Sequence, residues 1–393
     1  MIHRYQKKGL NFVLDVNSGA VHLLDDISYA VSGLLDENMG DTCPQSIIDA
    51  LPDYTADEIR EAYDELYELK KAGQLFAQDD YIDVSRYIPV NAPVKALCLH
   101  VAHDCNLRCQ YCFASTGDFG QGRKIMPPEI AKKAIDFVIA RSGVRHNIEV
   151  DFFGGEPLMA WDTVTQTVDY ARSLEEKYNK KFRFTITTNG LLLDEDKRKY
   201  INENMDNCVL SLDGRREVND EFRKTVAGTG SYDTIVPKFK ALVDERDPNL
   251  DYYARGTFTS HNLDFAEDVL SIADAGFDRL SVEPVTADPG CGYDLTEDDL
   301  PKIEAEYDRL TDIMLERKKE GKPFTFFHFM VDLDQGPCVV KRLRGCGAGY
   351  EYVAVTPDGD IYPCHQFVGK DEFKQGSVLD QSFNMDIAQK FAG

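Results

Sequence analysis

The sequence predicts an α/β fold, a partial (β/α)6 barrel with a smaller region on either side of it. Between residues 95 and 319, six apolar strand-like runs alternate with six helical patterns. Such an alternation implies a parallel sheet with right-handed crossovers. Because a closed barrel of this type has eight strands, six units predict an open sheet. We therefore expect three regions, residues 1–85, 94–322 and 323–393.

Composition excludes several classes of function. The 393-residue chain has a formal net charge of −24, which argues against nucleic acid or an anionic membrane as its main partner. No run approaches the roughly 18 apolar residues of a transmembrane helix, and the first residues lack the apolar segment of a signal peptide. Ten cysteines are too few for a disulfide scaffold at this length, and their clustering predicts metal binding in a reducing cytoplasm.

Residues 1–85 read as a separate module of two or three strands and three helices, similar to a winged helix. Residues 11–16 and 20–24 form a hairpin pattern around a turn at 17–19. A helix over 57–71 follows a capping signature at 55–58. A plain structural cap on the barrel is the alternative to a binding role. Residues 81–93, with two prolines, read as the linker.

The strand–helix alternation defines the core. The strand candidates are 95–101, 148–153, 183–188, 209–212, 252–259 and 279–285, and the helical patterns are 127–141, 161–178, 194–205, 234–245, 265–275 and 297–319. In folds of this kind, functional groups lie at the carboxyl ends of the parallel strands. Short polar and glycine-rich motifs follow the first four strands, so we expect them to meet in one site.

The first motif places Cys105, Cys109 and Cys112 at C-x3-C-x2-C spacing just after the first strand. A [4Fe–4S] cube has four irons, and three thiolates leave one iron open to a small-molecule ligand. The alternatives are a structural zinc clip that uses His103 as a further ligand, or unpaired core thiols.

This spacing, with Tyr111 just before the last cysteine, resembles the radical S-adenosylmethionine (radical SAM) enzymes. The resemblance covers residues 95–320. It implies that SAM binds the open iron and that one electron cleaves it to methionine and a 5′-deoxyadenosyl radical, which abstracts hydrogen from the substrate. Tyr111 resembles the aromatic residue near the adenine. A small electron donor of ferredoxin or flavodoxin type is implied as a partner.

The same resemblance assigns SAM contacts after the later strands. Residues 154–157 (Gly-Gly-Glu-Pro) resemble the motif whose backbone and Glu meet the SAM amino group. Ordinary turns and loop polarity are the alternative for each position. The resemblance assigns Gly154, Gly155, Glu156, Asn189 and Ser211. Arg223 is added because its guanidinium could bind a carboxylate bidentately. Arg255 and Glu283, on later strands, are weaker candidates, for which pairing with another charge is the alternative. No catalytic side chain is assigned.

A second cysteine group, Cys338, Cys346 and Cys364, surrounds a hairpin pattern over 350–365. It resembles the opening of the SPASM extension, which implies one auxiliary [4Fe–4S] cluster; a zinc site is the alternative. We expect the three sulfurs to lie within roughly 7 Å of one another. The later cysteine run of that extension is missing before Gly393, so we expect a truncated chain that cannot build a second auxiliary cluster.

The three regions together resemble thioether-forming maturases of cysteine-rich ribosomal peptides, most closely those of SCIFF peptides. Residues 336–338, 345–347 and 362–369 carry this finer match. It implies a cross-link from a Cys sulfur to a carbon of another residue, expected to be Thr, in a Cys-rich precursor peptide that region 1–85 holds by its leader. The alternatives are formylglycine formation, as in anaerobic sulfatase maturases, and a non-catalytic iron–sulfur adaptor.

Overall fold

The computed structural model describes residues 1–79, 93–331 and 345–392. The chain forms two compact units. The first comprises residues 1–89 with 331–345, and the second comprises residues 90–330 with 346–393. Most of the predicted linker, residues 81–92, lies outside the described residues, as does Cys338. Among the helices that the structure describes, none combines the length and the apolar composition needed to cross a membrane.

The first unit contains a three-stranded antiparallel sheet and three helices. Its elements are β1 (Ile2–Lys7), β2 (Leu10–Asp15), β3 (Val21–Leu24), α1 (Asp26–Ser32), α2 (Gln45–Ala50) and α3 (Ala56–Lys71). The predicted hairpin is β2–β3, and the predicted capping box opens α3 through Thr55 and Glu58. Strand β1 was not predicted because its polar residues do not alternate with apolar ones.

The second unit is built on one long sheet. Its strands are β4 (Ala96–His103), β5 (Lys124–Ile125), β6 (Asn147–Gly154), β7 (Lys181–Thr188), β8 (Asn207–Ser211), β9 (Asp251–Phe258), β10 (Arg279–Pro284), β11 (Thr325–Phe326), β12 (Tyr352–Val355), β13 (Asp360–Tyr362), β14 (Gly376–Ser377) and β15 (Ser382–Phe383). Its helices are α4 (Pro128–Arg141), α5 (Trp161–Tyr178), α6 (Glu195–Asn204), α7 (Arg216–Phe222), α8 (Tyr232–Asp244), α9 (Phe265–Asp274), α10 (Leu300–Lys319) and α11 (Met385–Ala392).

The six predicted strands form the parallel centre of this sheet. They pair in the order β10-β9-β8-β7-β6-β4, and in the described ranges no pairing joins the two ends of the sheet. The expectation of an open, partial (β/α)6 barrel is therefore confirmed. Strand β12 extends the sheet beyond β4 as a further parallel strand, which the sequence did not predict. The hairpin β12–β13 thereby becomes part of the barrel sheet.

Alternate residues of the parallel strands face two environments. On β6, Ile148, Val150 and Phe152 are fully buried in the core that includes residues of α4 and α5. Asp151 and Phe153 point to the other face, and Phe153 lines the cavity described below. The period of two therefore separates an apolar helix-facing side from a mixed inner side.

Burial on this inner face gives a testable pH dependence. It raises the pKa of Asp151 to about 7, well above the usual value of about 4 for an aspartate. Between these two pH values the folded chain binds more protons than the unfolded chain, so its stability falls as pH rises. Asp151→Asn should reduce this loss of stability with rising pH. The thermal unfolding midpoint, measured from pH 5 to 8, would show the reduction. Asp162→Asn, at an exposed position, is the control and should lose stability with rising pH as wild type does. Equal slopes of the unfolding midpoint against pH in Asp151→Asn and wild type would contradict this account.

Candidate functional site

The three cysteines of the first motif line one cavity of about 260 Å³. They belong to the cysteine loop, residues 105–112, which follows the carboxyl end of β4. Residues that follow β6, β7 and β10 line the same cavity. The expectation that motifs after successive strands meet at one end of the sheet is borne out by this lining.

The outer side of the cysteine loop is held by the strap, the short segment of residues 222–225 that begins at the last residue of α7. The Arg108 N–H donates to the Lys224 carbonyl at 2.7 Å, and the Gln110 N–H donates to the Phe222 carbonyl at 3.2 Å. Leu107 also forms an isolated antiparallel bridge with Thr225. These backbone contacts fix the loop independently of any bound group.

The glycine pair after β6 holds the inner side of the same loop. The Gly155 N–H donates to the Ala102 carbonyl at 2.7 Å, and the Glu156 N–H donates to the Asp104 carbonyl at 2.9 Å. A Cβ on Gly155 would lie 2.2 Å from the Asp104 oxygen. Gly154 adopts φ of +122°, and its Cβ would lie 2.2 Å from the Ala102 oxygen. Both positions therefore require glycine, here because two backbone segments touch.

Glu156 sits in a polar pocket behind the glycine pair. Its carboxylate accepts hydrogen bonds from the Leu158 N–H, the Thr188 hydroxyl and the Asn189 N–H, at 2.8–3.0 Å. Burial raises its pKa to about 7, although these bonds oppose the shift. Two carboxylate oxygens offer about four acceptor positions, so Glu156 also retains capacity for a ligand that donates hydrogen bonds.

Asn189 and Ser211 extend the polar wall. The Asn189 side-chain amide donates to Asn106 at 2.8 Å and lies 3.5 Å from the Cys105 sulfur. Ser211, at the end of β8, lines the cavity. The structure therefore brings both residues to the cysteine loop.

Tyr111 and Arg223 form a buried network with a residue that the sequence analysis did not assign. The Tyr111 hydroxyl donates to Asp213 at 2.6 Å and accepts from Arg223 at 2.7 Å. Asp213 belongs to the Ser-Leu-Asp-Gly motif after the fourth parallel strand, of which only Ser211 was assigned. Within the described part of the chain, Arg223 Nε is buried without a hydrogen-bond partner.

The two weaker candidates also lie in the cavity wall. Glu283 accepts hydrogen bonds from Ser281 and, at 2.9 Å, from His328, whose other ring nitrogen pairs with the Tyr307 hydroxyl at 2.8 Å. Arg255 lines the same wall. Sequence patterns had not linked His328 to this site, because it lies 45 residues beyond Glu283.

His103 does not join the cysteines. Its ring is buried against Phe119 and lies 3.2 Å from a nitrogen of His100, outside the cavity lining. Within the described ranges, no group of three or more Cys, His, Asp or Glu side chains is arranged to hold a single metal ion. The geometry therefore does not support the zinc clip completed by His103.

Two of the three later cysteines can be located. Cys364 follows β13, and burial is the largest cause that raises the pKa of its thiol, with a smaller contribution from Cys346. Cys338 lies outside the described residues, so the convergence of all three sulfurs stays a prediction. The ring of His365, next to Cys364, contacts Phe113 and Phe153 and lines the cavity of the cysteine loop.

The residues present fit a [4Fe–4S] cluster with SAM. Three thiols line one wall, and the unpartnered Nε of Arg223 gives a donor for a carboxylate. Burial raises the pKa of Cys105 to about 12 and that of Cys109 to about 11. These shifts favour the protonated form of Cys105 and Cys109, so iron binding there must displace protons.

Two family models match the chain. The model described as the radical SAM superfamily matches residues 99–253, and that of the SPASM iron–sulfur cluster-binding domain matches residues 346–390. Residues 99–253 therefore form a radical SAM domain, and residues 346–390 form a SPASM domain. A radical SAM domain works with a [4Fe–4S] cluster and SAM, and the SPASM region adds an auxiliary iron–sulfur cluster.

Curated relatives of this radical SAM chain include several maturases. A cysteine-type anaerobic sulfatase-maturating enzyme of Clostridium novyi is 25% identical over 310 residues, which are 73% of this chain and 78% of that protein. The mycofactocin maturase MftC of Mycobacterium ulcerans is 28% identical over 297 residues, 74% and 73% of the two chains. An uncharacterized protein of Archaeoglobus fulgidus, 25% identical over 72% of this chain, is matched over only 64% of its own length.

Solved structures share the fold. The anaerobic sulfatase-maturating enzyme anSMEcpe with bound AdoMet matches 76% of this chain and 83% of its own, with 21% identity and a TM-score of 0.63. Streptococcus suis SuiB bound to the precursor peptide SuiA matches 99% and 87%, with 16% identity and a TM-score of 0.56. At these identities the likeness concerns the fold.

The packing of the glycine pair predicts the effect of one added methyl group. Gly155→Ala should push the cysteine loop away from β6 and sharply reduce the iron bound after anaerobic reconstitution, together with dithionite-driven formation of 5′-deoxyadenosine. Gly40→Ala is the control, because no atom lies within 4 Å of its Cβ position. Iron loading of Gly155→Ala at the wild-type level would contradict the packing argument.

Proposed function

We propose that this chain is a radical SAM peptide maturase that joins a Cys sulfur to a carbon of another residue, expected to be Thr, in a ribosomally made Cys-rich peptide. The observation that carries the proposal is the shared cavity. His365 and Gln366, which follow Cys364 of the SPASM region, line the same space as the cysteine loop. A substrate thiol held beside Cys364 would therefore meet the hydrogen-abstraction site.

The names of similar proteins support a peptide substrate. MftC is named as a mycofactocin maturase, and SuiB has been solved bound to a precursor peptide. A further relative, named the radical SAM cyclopropyl synthase TigE, of Paramaledivibacter caminithermalis, is 29% identical over 197 residues, which are 46% of this chain and 40% of that protein.

The cavity walls suggest what the side chains do in such a reaction. When bound, the cluster and SAM supply a carbon radical that accepts a hydrogen atom. Phe113, Phe153 and His365 form an aromatic wall that limits water on one side. Arg255 and Glu283 offer a cation and a carboxylate that can orient the polar groups of a peptide.

The cross-link removes two hydrogens from the peptide. One leaves the carbon as a hydrogen atom, and the other leaves the sulfur as a proton. One electron is released as the S–C bond forms. Cys346 and Cys364 would hold the auxiliary iron–sulfur group, which would supply an electron acceptor. A small protein of ferredoxin or flavodoxin type is the proposed source of the electron that cleaves SAM.

The decisive experiment uses the reconstituted chain, SAM, dithionite and a synthetic precursor peptide of the SCIFF class that contains a leader, Cys and Thr. We expect a peptide lighter by two hydrogens that no longer reacts with a thiol reagent at the linked Cys. A peptide that gains an aldehyde reactive toward hydrazide would instead indicate formylglycine formation. The sulfatase-maturating relatives make that the second candidate.

We further propose that residues 1–85 hold the leader of the precursor peptide. In the described part of this unit, no strand pairs with the outer edge of β3, which carries the exposed side chains of Val21 and Leu23. An extended peptide can add to such an edge as a further strand, with side-chain contacts giving specificity.

Two matched variants test this role. Leu23→Glu should weaken binding of the fluorescently labelled leader segment of the same peptide by about tenfold, a loss of about 1.4 kcal/mol. Leu10→Glu is the control, because Leu10 is also exposed but lies on β2, whose two edges are already paired. Equal affinities of the two variants and wild type in fluorescence anisotropy would rule out the β3 edge.

A further inference from the structure

Asp213 is a fully buried carboxylate with no role in the assignments above. Its side chain accepts from the Tyr111 hydroxyl at 2.6 Å and from the Thr257 N–H at 3.1 Å. The Arg223 guanidinium lies 3.6 Å from Oδ1, the oxygen that accepts from Thr257, and donates to Tyr111 at 2.7 Å. Asp213 therefore anchors Tyr111 of the cysteine loop and Arg223 of the strap.

The network places one negative and one positive charge close to Cys109. Charges interact much more strongly in a low-dielectric interior than in water. Arg223 and Cys109 line the same cavity, and the Arg223 guanidinium lies 3.6 Å from Asp213. A cation whose charge Asp213 offsets therefore lies in the wall of the cavity that the three cysteines line.

We propose that Asp213 is a positioning residue that holds Tyr111 of the cysteine loop together with Arg223 of the strap, and that its negative charge sets how readily the iron–sulfur group at this loop is reduced. The proposal deepens the proposed function and rests on its SAM-cleaving cluster. Reduction adds one electron, supplied in the test by dithionite. Added negative charge is favoured by the Arg223 cation and opposed by the Asp213 carboxylate.

Three substitutions separate the effect of charge from that of position. Asp213→Asn keeps the shape and an oxygen that can accept from Tyr111, but removes the charge. Arg223→Gln removes the opposite charge. Tyr111→Phe keeps both charges and deletes only the bridging hydroxyl, so it should weaken SAM binding while moving the midpoint potential least.

The test is a redox titration of each reconstituted full-length variant, following the EPR signal that responds to SAM. We expect a higher midpoint potential for Asp213→Asn and a lower one for Arg223→Gln. Asp264→Asn is the control, because this exposed carboxylate pairs with Arg215 and should leave the potential unchanged. A wild-type or lower potential in Asp213→Asn, at matched iron content, would overturn the proposal.

If Asp213→Asn takes up no iron, the redox titration of Arg223→Gln tests the proposal instead. An unchanged or higher midpoint potential in Arg223→Gln overturns the role of charge. The titrations need no peptide. A missing thioether product would therefore count against the proposed reaction alone, and an unchanged potential would count against the role of Asp213 alone.

Discussion

The close contact between the ends of β4 and β6 is the constraint on which the site depends. The Ala102 and Asp104 carbonyls accept from the Gly155 and Glu156 N–H groups, at a separation that leaves no room for a Cβ on Gly155. The contact fixes where the cysteine loop leaves the sheet. The strap then holds the loop from the other side, so the three thiols line one cavity.

The electrostatics of the site differ from those of the whole chain. The chain carries a net charge of −24, yet the residues facing Cys109 include the buried Arg223 guanidinium balanced by Asp213. Buried charges persist only when they are paired and hydrogen-bonded. Tyr111 satisfies this condition by bonding to both, which links the cysteine motif to a residue 102 positions away.

The sequence predicted the features that depend on residues close together in the chain. The period of the apolar residues located all six parallel strands, and Thr55 with Glu58 located the start of α3. The motif cysteines and the residues after β6, β7 and β8 were found because they follow strand ends. Non-local pairings were missed. Neither the addition of β12 to β4 nor the bond from Tyr111 to Asp213 leaves a periodic signal, since each joins segments far apart in sequence.

The most direct test of the account is the effect of each motif cysteine on SAM cleavage. Wild type and the single variants Cys105→Ala, Cys109→Ala and Cys112→Ala would be reconstituted anaerobically and compared for 5′-deoxyadenosine formed with SAM and dithionite. Cys291→Ala is a suitable control, because Cys291 is exposed and does not line the cavity. The account predicts that all three motif variants lose cleavage and that the control retains it. Wild-type formation of 5′-deoxyadenosine by any motif variant would contradict it.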